Sequence, residues 1–337
     1  MRIAIDAMGG DYGPRVTIQG ALDAAREYNL EVLLVGVEDV LKKEFQGLGR
    51  PDARVTIVDA PESIGMGEGL LSFRRKKKSS IRVSAQLVKE GRAEALVSIG
   101  NTGAVVYLSR KILGRLQGID QPALALLLPT HDGVSLIIDV GANANCKPHH
   151  LEQFAVMGGI FMENILGRTN PRIGLMSIGE EETKGNDLTK AAFDMLKASP
   201  LNFIGNIEGK DLYSGKAEVI VCDGFTGNVA LKASEGVVES LLVMARHEVT
   251  HSLLAKFGFF LIKHNLKKIM KKMDYSQYGG ACLLGLNGIC IIGHGRSNPL
   301  AVKNAIRTAK EYVQNRTQDK IRSEIARLSG AAQGGKA

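Results

Sequence analysis

Short apolar runs alternate with longer amphipathic stretches along most of the chain. The runs are rich in Val, Ile, Leu and Ala, and each ends near Gly, Asp or Asn. Strands that alternate with helices form βαβ units, so the pattern predicts an α/β fold around a largely parallel sheet. The predicted strands are residues 2–7, 31–37, 54–59, 94–99, 123–128, 134–140, 172–178, 202–207, 218–223 and 288–292. The predicted helices include residues 16–28, 79–90, 102–116, 149–166 and 187–198.

Two regions depart from this alternation. The predicted strands 123–128 and 134–140 are separated by five residues, too few for a crossover helix, which predicts an antiparallel hairpin within a mixed sheet. Residues 225–273 contain no proline and only three glycines, which predicts one long helix or two helices that meet near residues 257–260. Helices of this length usually pack against a partner, so we expect an oligomer.

The length of 337 residues suits one large α/β domain. We predict a three-layer αβα catalytic domain over residues 1–328, with the alternative of two subdomains around a cleft. Residues 225–273 are expected to form a protruding helical hairpin within it, and residues 329–337 a flexible tail. Because the chain shows no signal peptide and no run of about 20 apolar residues, we expect a cytoplasmic protein.

Composition narrows the possible functions. The chain is 45% hydrophobic and 23% charged, which is typical of a globular protein and excludes disordered and fibrous classes. Aromatic residues make up only 5%, which argues against binding nucleic acid by base stacking. The four cysteines form no Cys-x-x-Cys pair, so we expect reduced thiols. Residues 246–273 contribute six of the net eight positive charges, and a local basic patch of this kind indicates one acidic partner or surface.

The segments that follow five predicted strands are rich in Gly and Asn. Ligands of open parallel sheets bind at the carboxyl ends of the strands, and turns at helix N-termini bind anions. One such loop is common for packing reasons alone, but five together favour a site. We therefore expect the five loops to lie at one sheet edge and to bind an anion such as phosphate. The loops are residues 6–11, 98–104, 141–143, 179–186 and 224–228.

Common catalytic and nucleotide-binding motifs are absent from the sequence. It contains no Walker phosphate loop, no Gly-x-Gly-x-x-Gly turn after a strand, no Gly-x-Ser-x-Gly elbow and no His-Glu-x-x-His helix. His149 and His150 are expected to cap a helix start rather than to bind a metal. Asp6, Asp139 and Asp223 stand at strand ends, where Asp more often caps a turn than ligates a metal. We therefore predict no metal and no cofactor.

Anion-binding loops without a protein nucleophile suggest that the bound anion is itself the nucleophile. Inorganic phosphate needs positioning against an electrophilic carbonyl and donors for the charge that develops on the carbonyl oxygen. Lys184 and Asn228 are suited to that task. The alternative for Lys184 is a surface ion pair with the acidic residues 180–182.

Seven motifs over residues 1–313 jointly resemble the bacterial phosphate acyltransferase family PlsX. They are Asp6-Ala-Met-Gly-Gly-Asp11, Arg74-Arg-Lys-Lys-Lys-Ser-Ser80, Gly100-Asn-Thr-Gly-Ala104, Asp139-Val-Gly-Ala-Asn143, Lys184-Gly-Asn186, Asp223-Gly-Phe-Thr-Gly-Asn-Val229, and Tyr278-Gly-Gly-Ala281 with His294-Gly295. The resemblance implies a fold similar to those of phosphotransacetylases and isopropylmalate dehydrogenases.

The resemblance also implies an activity and partners. A fatty acyl group would move from acyl carrier protein to inorganic phosphate, giving an acyl phosphate for glycerol-3-phosphate acylation in phospholipid synthesis. The protein would form a homodimer and associate peripherally with the inner face of the cell membrane, an anionic surface. It would be coupled functionally to a membrane glycerol-3-phosphate acyltransferase and would bind no nucleic acid.

By motif match, Lys184 and Asn228 would be the catalytic pair that neutralises the phosphate and the tetrahedral oxyanion. The residues expected to bind the substrate are Gly9, Gly10, Asn101, Thr102, Gly103, Asn143, Asn186 and Gly227.

Two surface elements complete the expectations. An acidic carrier protein would dock on exposed basic residues, and a solvated helix face is the alternative for the lysines. Residues 252–262 are apolar but too few to span a bilayer. They predict a helical tip that turns at Gly258 and lies in the membrane interface. The alternative for this tip is a dimer core. The docking candidates are Arg74, Arg75, Lys267, Lys268, Lys271 and Lys272, and the membrane candidates are Phe257, Phe259 and Phe260.

Two rival functions would require other sequence features. A dehydrogenase on the same fold would need aspartates close together on one helix and a nucleotide-binding loop, and the sequence shows neither. A nucleic-acid module would use the basic residues 74–78 or 246–272, which lack interleaved aromatics and a reader motif. Phosphate-dependent release of free thiol from acyl carrier protein, without nicotinamide or metal, distinguishes the three functions.

Overall fold

The sheet predicted from the sequence is present and is mixed, as expected. A computed structural model describes residues 1–48, 52–131, 133–251, 253–273 and 275–334. Within these ranges eleven strands form one sheet, in the order β3-β2-β1-β4-β11-β10-β5-β6-β9-β7-β8. The strands are β1 Arg2–Asp6, β2 Glu31–Gly36, β3 Val55–Asp59, β4 Ala95–Ser98, β5 Ala123–Thr130, β6 Gly133–Ile138, β7 Ile173–Met176, β8 Phe203–Ile207, β9 Val219–Val221, β10 Ala281–Leu284 and β11 Ile289–Ile292.

Helices cover both faces of the sheet and confirm the three-layer αβα class. One apolar cluster joins α1, α6 and α10 to one sheet face, and a second joins α4 and α5 to the other. Alternate residues of the same strand divide between the clusters, as the period of a strand requires. The helices are α1 Pro14–Tyr28, α2 Glu38–Gly47, α3 Leu70–Arg75, α4 Ser80–Lys89, α5 Thr102–Leu113, α6 Pro148–Leu166, α7 Asp187–Ala198, α8 Gly224–His251, α9 Leu253–Met273, α10 Pro299–Gln314 and α11 Thr317–Gly334.

The hairpin formed by β5 and β6 reverses the direction of the sheet. Strands β1, β2, β3, β4 and β11 are parallel to one another, and β5 shares their direction because both β5 and β11 are antiparallel to β10. Strand β6 is antiparallel to β5, and β9, β7 and β8 follow β6. The sheet therefore contains two groups of strands that point in opposite directions.

This reversal corrects the expectation that all five glycine-rich loops lie at one sheet edge. The loops after β1, β4 and β11 lie at one edge, which we call the first edge. The loops after β6, β7 and β9 lie at the opposite edge, which we call the second edge. The prediction was wrong because the β5–β6 hairpin reverses the chain direction of β6 and of the strands beyond it in the sheet, which are β9, β7 and β8.

Most sequence-predicted elements are observed, with shifts at their ends. Helix α5 is three residues shorter than predicted, because Gly114 follows it with a φ of +75° and serves as its C-cap. Strand β10 was not predicted, since its four residues follow two glycines and give too short an apolar run. Helix α11 continues through Gly334, into the segment for which the sequence predicts a flexible tail.

The long helical region consists of two helices, but they do not meet where the sequence predicted. Helix α8 ends at His251 and α9 begins at Leu253, and α9 runs through Gly258 without interruption. Residue 252 lies outside the described residues. One glycine costs a helix only about 1 kcal/mol, which the flanking helix formers offset. The two helices contact each other. No helix in the described ranges is both long enough and apolar enough to cross a membrane.

Candidate active site at the second edge

Asp139 organises the loop that follows β6. Its buried carboxylate accepts five hydrogen bonds, from the backbone N–H groups of Leu124, Gly141, Ala142 and Asn143 and from the Asn143 Nδ2, at 2.8–3.1 Å. Burial raises the pKa of Asp139, whereas these donors favour the ionised form. Every partner is an N–H donor, so the carboxylate is used to shape the loop, as the sequence predicted for a capping Asp.

The loop after β9 is packed directly against the Asp139 loop. The Gly224 N–H donates to the Asn143 carbonyl at 2.8 Å, and a Cβ placed on Gly227 would lie 2.9 Å from the Cys222 Sγ. Close packing leaves no room for a side chain at position 227, so only glycine fits there. Asp223 caps α8 by accepting the N–H groups of Phe225 and Thr226 at 3.0 and 2.9 Å.

Asn228 lies on the first turns of α8, above the Asp139 loop. Its Cβ and Cγ would be 3.8 Å from a Cβ placed on Gly141, so its amide projects beside that loop. The Asn143 amide donates to the Pro122 carbonyl and to Asp139 at 2.7 and 2.9 Å. In the described parts of the chain the Asn228 amide has no such partner and is half-buried. Of these two predicted site residues, Asn228 is the one whose donor is available to a ligand.

Lys184 lies in the loop after β7, the strand next to β9. Its N–H donates to the Glu181 carbonyl at 3.0 Å, and the Ser177 hydroxyl donates to the Lys184 carbonyl at 3.4 Å. A Cβ on Gly179 would come within 2.9 Å of the Lys184 Cγ, so the lysine stem packs against that glycine. Gly185 has a φ of +118°, which favours glycine. The loop therefore holds the Lys184 backbone in one conformation.

The acidic residues near Lys184 pair with other lysines. Glu180 contacts Lys216 at 3.1 Å and Lys210 at 3.6 Å, and Glu182 contacts Lys197 at 2.9 Å. These contacts lower the pKa of Glu180, with the Lys216 hydrogen bond as the main cause. Among the described residues the exposed Lys184 ammonium forms no ion pair. The alternative of a surface ion pair for Lys184 is therefore not what the structure shows.

The first edge brings together the predicted substrate residues of the loops after β1 and β4. Gly9 packs against Gly100, because a Cβ on Gly9 would lie 2.5 Å from the Gly100 nitrogen. Asp11 donates its N–H to the Gly295 carbonyl at 2.8 Å, which joins the loops after β1 and β11. Gly10 has a φ of +88°, and Thr102 and Gly103 are exposed at the start of α5.

Asn101 uses its whole side chain within the protein. Its Nδ2 donates to the carbonyls of Gly65, Met66 and Glu68 at 2.8–3.3 Å, and its Oδ1 caps α5 by accepting the Ala104 N–H at 3.0 Å. The sequence suggested a ligand contact, whereas the contacts seen here order the loop before α3. Similarly, the Asn186 Oδ1 caps α7 by accepting the Thr189 N–H at 2.9 Å.

Helix α8 connects the two edges. It begins at Gly224 on the second edge, and Glu239, about 22 Å further along the helix axis, contacts Arg296 at 3.0 Å. Arg296 belongs to the loop after β11, at the first edge. Roughly the first half of α8, about 22 Å, therefore separates the two groups of predicted site residues.

The basic and aromatic candidates lie outside the second edge. Arg74 on α3 donates from Nε to the Tyr107 hydroxyl at 3.3 Å, which places α3 beside α5, and Arg75 is exposed. The contact with Arg74 lowers the pKa of Tyr107. On α9, Phe257, Phe259 and Phe260 are 62%, 38% and 72% exposed and Lys267 is exposed. The side chains of Lys268, Lys271 and Lys272 lie outside the described residues.

Three further titratable groups, His150, Asp6 and Cys146, lie in buried or partly buried surroundings. The backbone N–H of Lys147 donates to the His150 Nδ1 at 3.1 Å, so the predicted cap at the start of α6 is present. His150 is buried, however, whereas the sequence predicts a solvated cap. His150 lies near His149 and Asp120, but this bond leaves the proton of its neutral ring on Nε2, so that nitrogen is not a free ligand. Asp6 is buried, which raises its pKa, and accepts the Ser98 hydroxyl at 2.6 Å. Burial raises the pKa of the Cys146 thiol to about 12.

Two residues that shape the second edge were not predicted as site residues from the sequence. Gly179 and Asp139 both build the second edge, although neither was predicted as a site residue. A glycine immediately before an acidic run and an aspartate at a strand end were the available signals. Their partners are remote in sequence or depend on loop shape, so the pattern alone could not assign them.

Comparison with solved structures defines the class of fold. A phosphotransacetylase from Streptococcus pyogenes matches with a TM-score of 0.60 and 19% identity, covering 94% of each chain. A branched-chain phosphotransacylase from Enterococcus faecalis matches with a TM-score of 0.57 and 13% identity, covering 92% of this chain and 99% of that one. At these identities the likeness shows the fold alone, and it is the phosphotransacetylase-like α/β fold.

Comparison with sequences defines the family. The chain belongs to the fatty acid synthesis protein family, whose model matches residues 1–320. A phosphate acyltransferase from Pelotomaculum thermopropionicum is 51% identical and covers 99% of this chain and 98% of its own length. Another from Desulfitobacterium hafniense is 50% identical, with coverages of 98% and 99%. The protein is an acyltransferase, as the motifs indicated.

Proposed function

We propose that this enzyme transfers a fatty acyl group from the thioester of acyl carrier protein to inorganic phosphate. The observation that carries the proposal is the pair of free polar groups at the second edge. Lys184 lies in the loop after β7, and Asn228 lies at the start of α8, which follows the adjacent strand β9. Within the described ranges neither the Lys184 ammonium nor the Asn228 amide has a partner. The phosphate acyltransferases that are about 50% identical over nearly the whole chain support the same activity.

The chemistry needs no protein nucleophile. A phosphate oxygen bonds to the thioester carbonyl carbon and gives a tetrahedral oxyanion. The carbon–sulfur bond then breaks, which gives acyl phosphate and a thiolate that takes a proton from solvent. Lys184 neutralises charge on the phosphate, and the Asn228 Nδ2 donates to the oxyanion.

Asp139 and the glycine contacts keep these donors in place. Preorganised donors stabilise a transition state because they need no reorganisation during the reaction. Asp139 fixes the loop against which Asn228 lies, and Gly179 supports the Lys184 stem. The donors therefore stand on loops that are already ordered before the substrate binds.

Surfaces outside the second edge suit the proposed partners. The exposed Arg75 and Lys267 would attract an acidic carrier protein. Exposed phenylalanines on α9 would bind an anionic membrane, to which an amphiphilic acyl phosphate can pass for glycerol-3-phosphate acylation by a coupled membrane enzyme. Homodimer formation would cover the apolar side chains of α8, which are 38–69% exposed: Val237, Val238, Leu241, Leu242, Val243 and Met244.

Product identification tests the proposal. The purified enzyme is incubated with acyl carrier protein loaded with a fatty acyl group and with inorganic phosphate, in the absence of nicotinamide and with a metal chelator. We expect acyl phosphate and free carrier thiol in equal amounts, with no reaction when phosphate is omitted. Thiol release that does not depend on phosphate, or a product other than acyl phosphate, contradicts the proposal.

A further inference from the structure

The loop that carries Lys184 is held by a side chain from the neighbouring strand. Asn206 on β8 is only 4% exposed, and its Nδ2 donates to the Glu181 carbonyl at 3.0 Å. Residue 206 pairs with Leu175 on β7, two residues before the loop begins at Ser177. Asn206 is thus fixed in the sheet directly beside the loop that it contacts.

The carbonyl bound by Asn206 also holds Lys184. The Lys184 N–H donates to the same Glu181 carbonyl at 3.0 Å. The carbonyl oxygen has two lone pairs, and here one accepts from the side chain of β8 and the other from the backbone of Lys184. A two-bond link therefore joins the rigid sheet to the backbone of Lys184.

The second polar atom of Asn206 shows that stability alone does not explain an asparagine here. Within the described ranges its buried Oδ1 has no hydrogen-bond partner. A buried acceptor without a partner destabilises a fold, and an apolar side chain of similar shape would avoid this cost. The benefit of the asparagine is then its Nδ2, which goes to the Lys184 loop.

We propose that Asn206 is a positioning residue for Lys184, acting through the Glu181 carbonyl. This inference rests on the proposed function, in which the Lys184 ammonium binds the phosphate. Without the Asn206 donor, the turn formed by residues 181–184 loses its attachment to β8. The ammonium then samples positions away from the reacting phosphate, and a displacement of about 1 Å can cost 100-fold in rate.

The variant Asn206→Leu separates positioning from stability, because leucine keeps a similar volume and removes the unpartnered oxygen. We expect kcat/KM for phosphate to fall about 10- to 100-fold. The KM for acyl carrier protein and the melting temperature should not fall. Asn202→Leu is the matched control, since the Asn202 Nδ2 also donates to a backbone carbonyl, that of Asn170 at 2.9 Å, before the opposite end of β8. We expect this control to retain wild-type kinetics.

A double-mutant cycle tests the route through Lys184. In a Lys184→Ala background, adding Asn206→Leu should lower the residual rate by less than twofold, because the group that Asn206 positions is gone. Wild-type kinetics for Asn206→Leu, or a loss that multiplies with that of Lys184→Ala, overturns the inference. If Lys184→Ala itself retains full activity, the catalytic role of Lys184 in the proposed function fails instead.

Discussion

At the scale of single residues, the second edge contains two kinds of polar side chain. Some form hydrogen bonds within the loops, and others remain available to a ligand. Asp139 and Asn143 use their polar atoms on backbone groups and on each other. Lys184 and Asn228 have no such partners within the described ranges. The second edge thus combines loops ordered by internal hydrogen bonds with unpaired donors, and we propose that these donors bind the phosphate.

The frame can be tested at Asp139. Replacing it by Asn puts an N–H₂ group among five N–H donors, so at least one buried donor loses its acceptor. We expect Asp139→Asn to lower the free energy of unfolding by about 2–3 kcal/mol, measured by denaturant titration.

The matched control is Asp223→Asn, because asparagine caps a helix about as well as aspartate. Its free energy of unfolding should change by less than about 0.5 kcal/mol. Equal stabilities for the two variants would show that Asp139 does not organise the loop.

Individual residue roles were only partly predictable from the sequence. The motifs singled out Lys184 and Asn228, and the structure leaves the polar groups of both available. They also singled out Asn101, whose amide is used to hold the Gly65–Glu68 loop. That loop precedes Asn101 by more than thirty residues, and no local pattern reveals a contact over such a separation.

At the scale of elements, the β5–β6 hairpin decides where each loop lies. The spacing of two apolar runs predicted the hairpin correctly. The effect of the hairpin on the sheet edges depends on strand order, which places β9 beside β6 and β7 beside β9 and leaves β1 and β4 in the other group. Strand order follows from packing between remote segments, so it could not be obtained from the periodicity of each segment.

Helix α3 carries the prediction on carrier docking. Arg75→Glu should raise the KM for acyl carrier protein about 10-fold at low salt and leave the KM for phosphate nearly unchanged, since charge reversal repels an acidic partner. Lys43→Glu, an equal charge change at an exposed position on α2, is the control. Lys267→Glu tests the rival patch on α9. If none of these variants alters the carrier KM or its salt dependence, docking does not use these basic residues.

Helix α9 carries the prediction on membrane contact. Its first half exposes Phe257 and Phe260 by 62% and 72%, and lysines follow in its second half. We expect the protein to co-sediment with anionic vesicles at low salt and Phe257→Glu and Phe260→Glu to reduce the bound fraction several-fold. Leu300→Glu, at a partly exposed apolar position on α10, should bind like the wild type. Equal binding by all variants would exclude the α9 phenylalanines as an anchor.

At the scale of the whole molecule, the two sheet edges have different characters. The second edge holds the unpaired donors, and the first edge has close glycine contacts beside the basic helix α3. Helix α8 spans the distance between them and exposes apolar side chains over its second half. The sequence predicted the αβα layers and the presence of long helices in residues 225–273. It did not predict this separation, which results from the antiparallel relation of the two strand groups.

The most direct measurement is the rate of phosphate-dependent thiol release from acyl carrier protein by Lys184→Ala and Asn228→Ala. Each variant removes one unpaired donor, which is typically worth about 2.7–4 kcal/mol in the transition state, so turnover should fall about 100- to 1,000-fold. Both variants should keep the wild-type melting temperature, and Lys190→Ala, an exposed lysine on α7, should keep full activity. Near-normal turnover of either donor variant would contradict the assignment of the second edge as the active site.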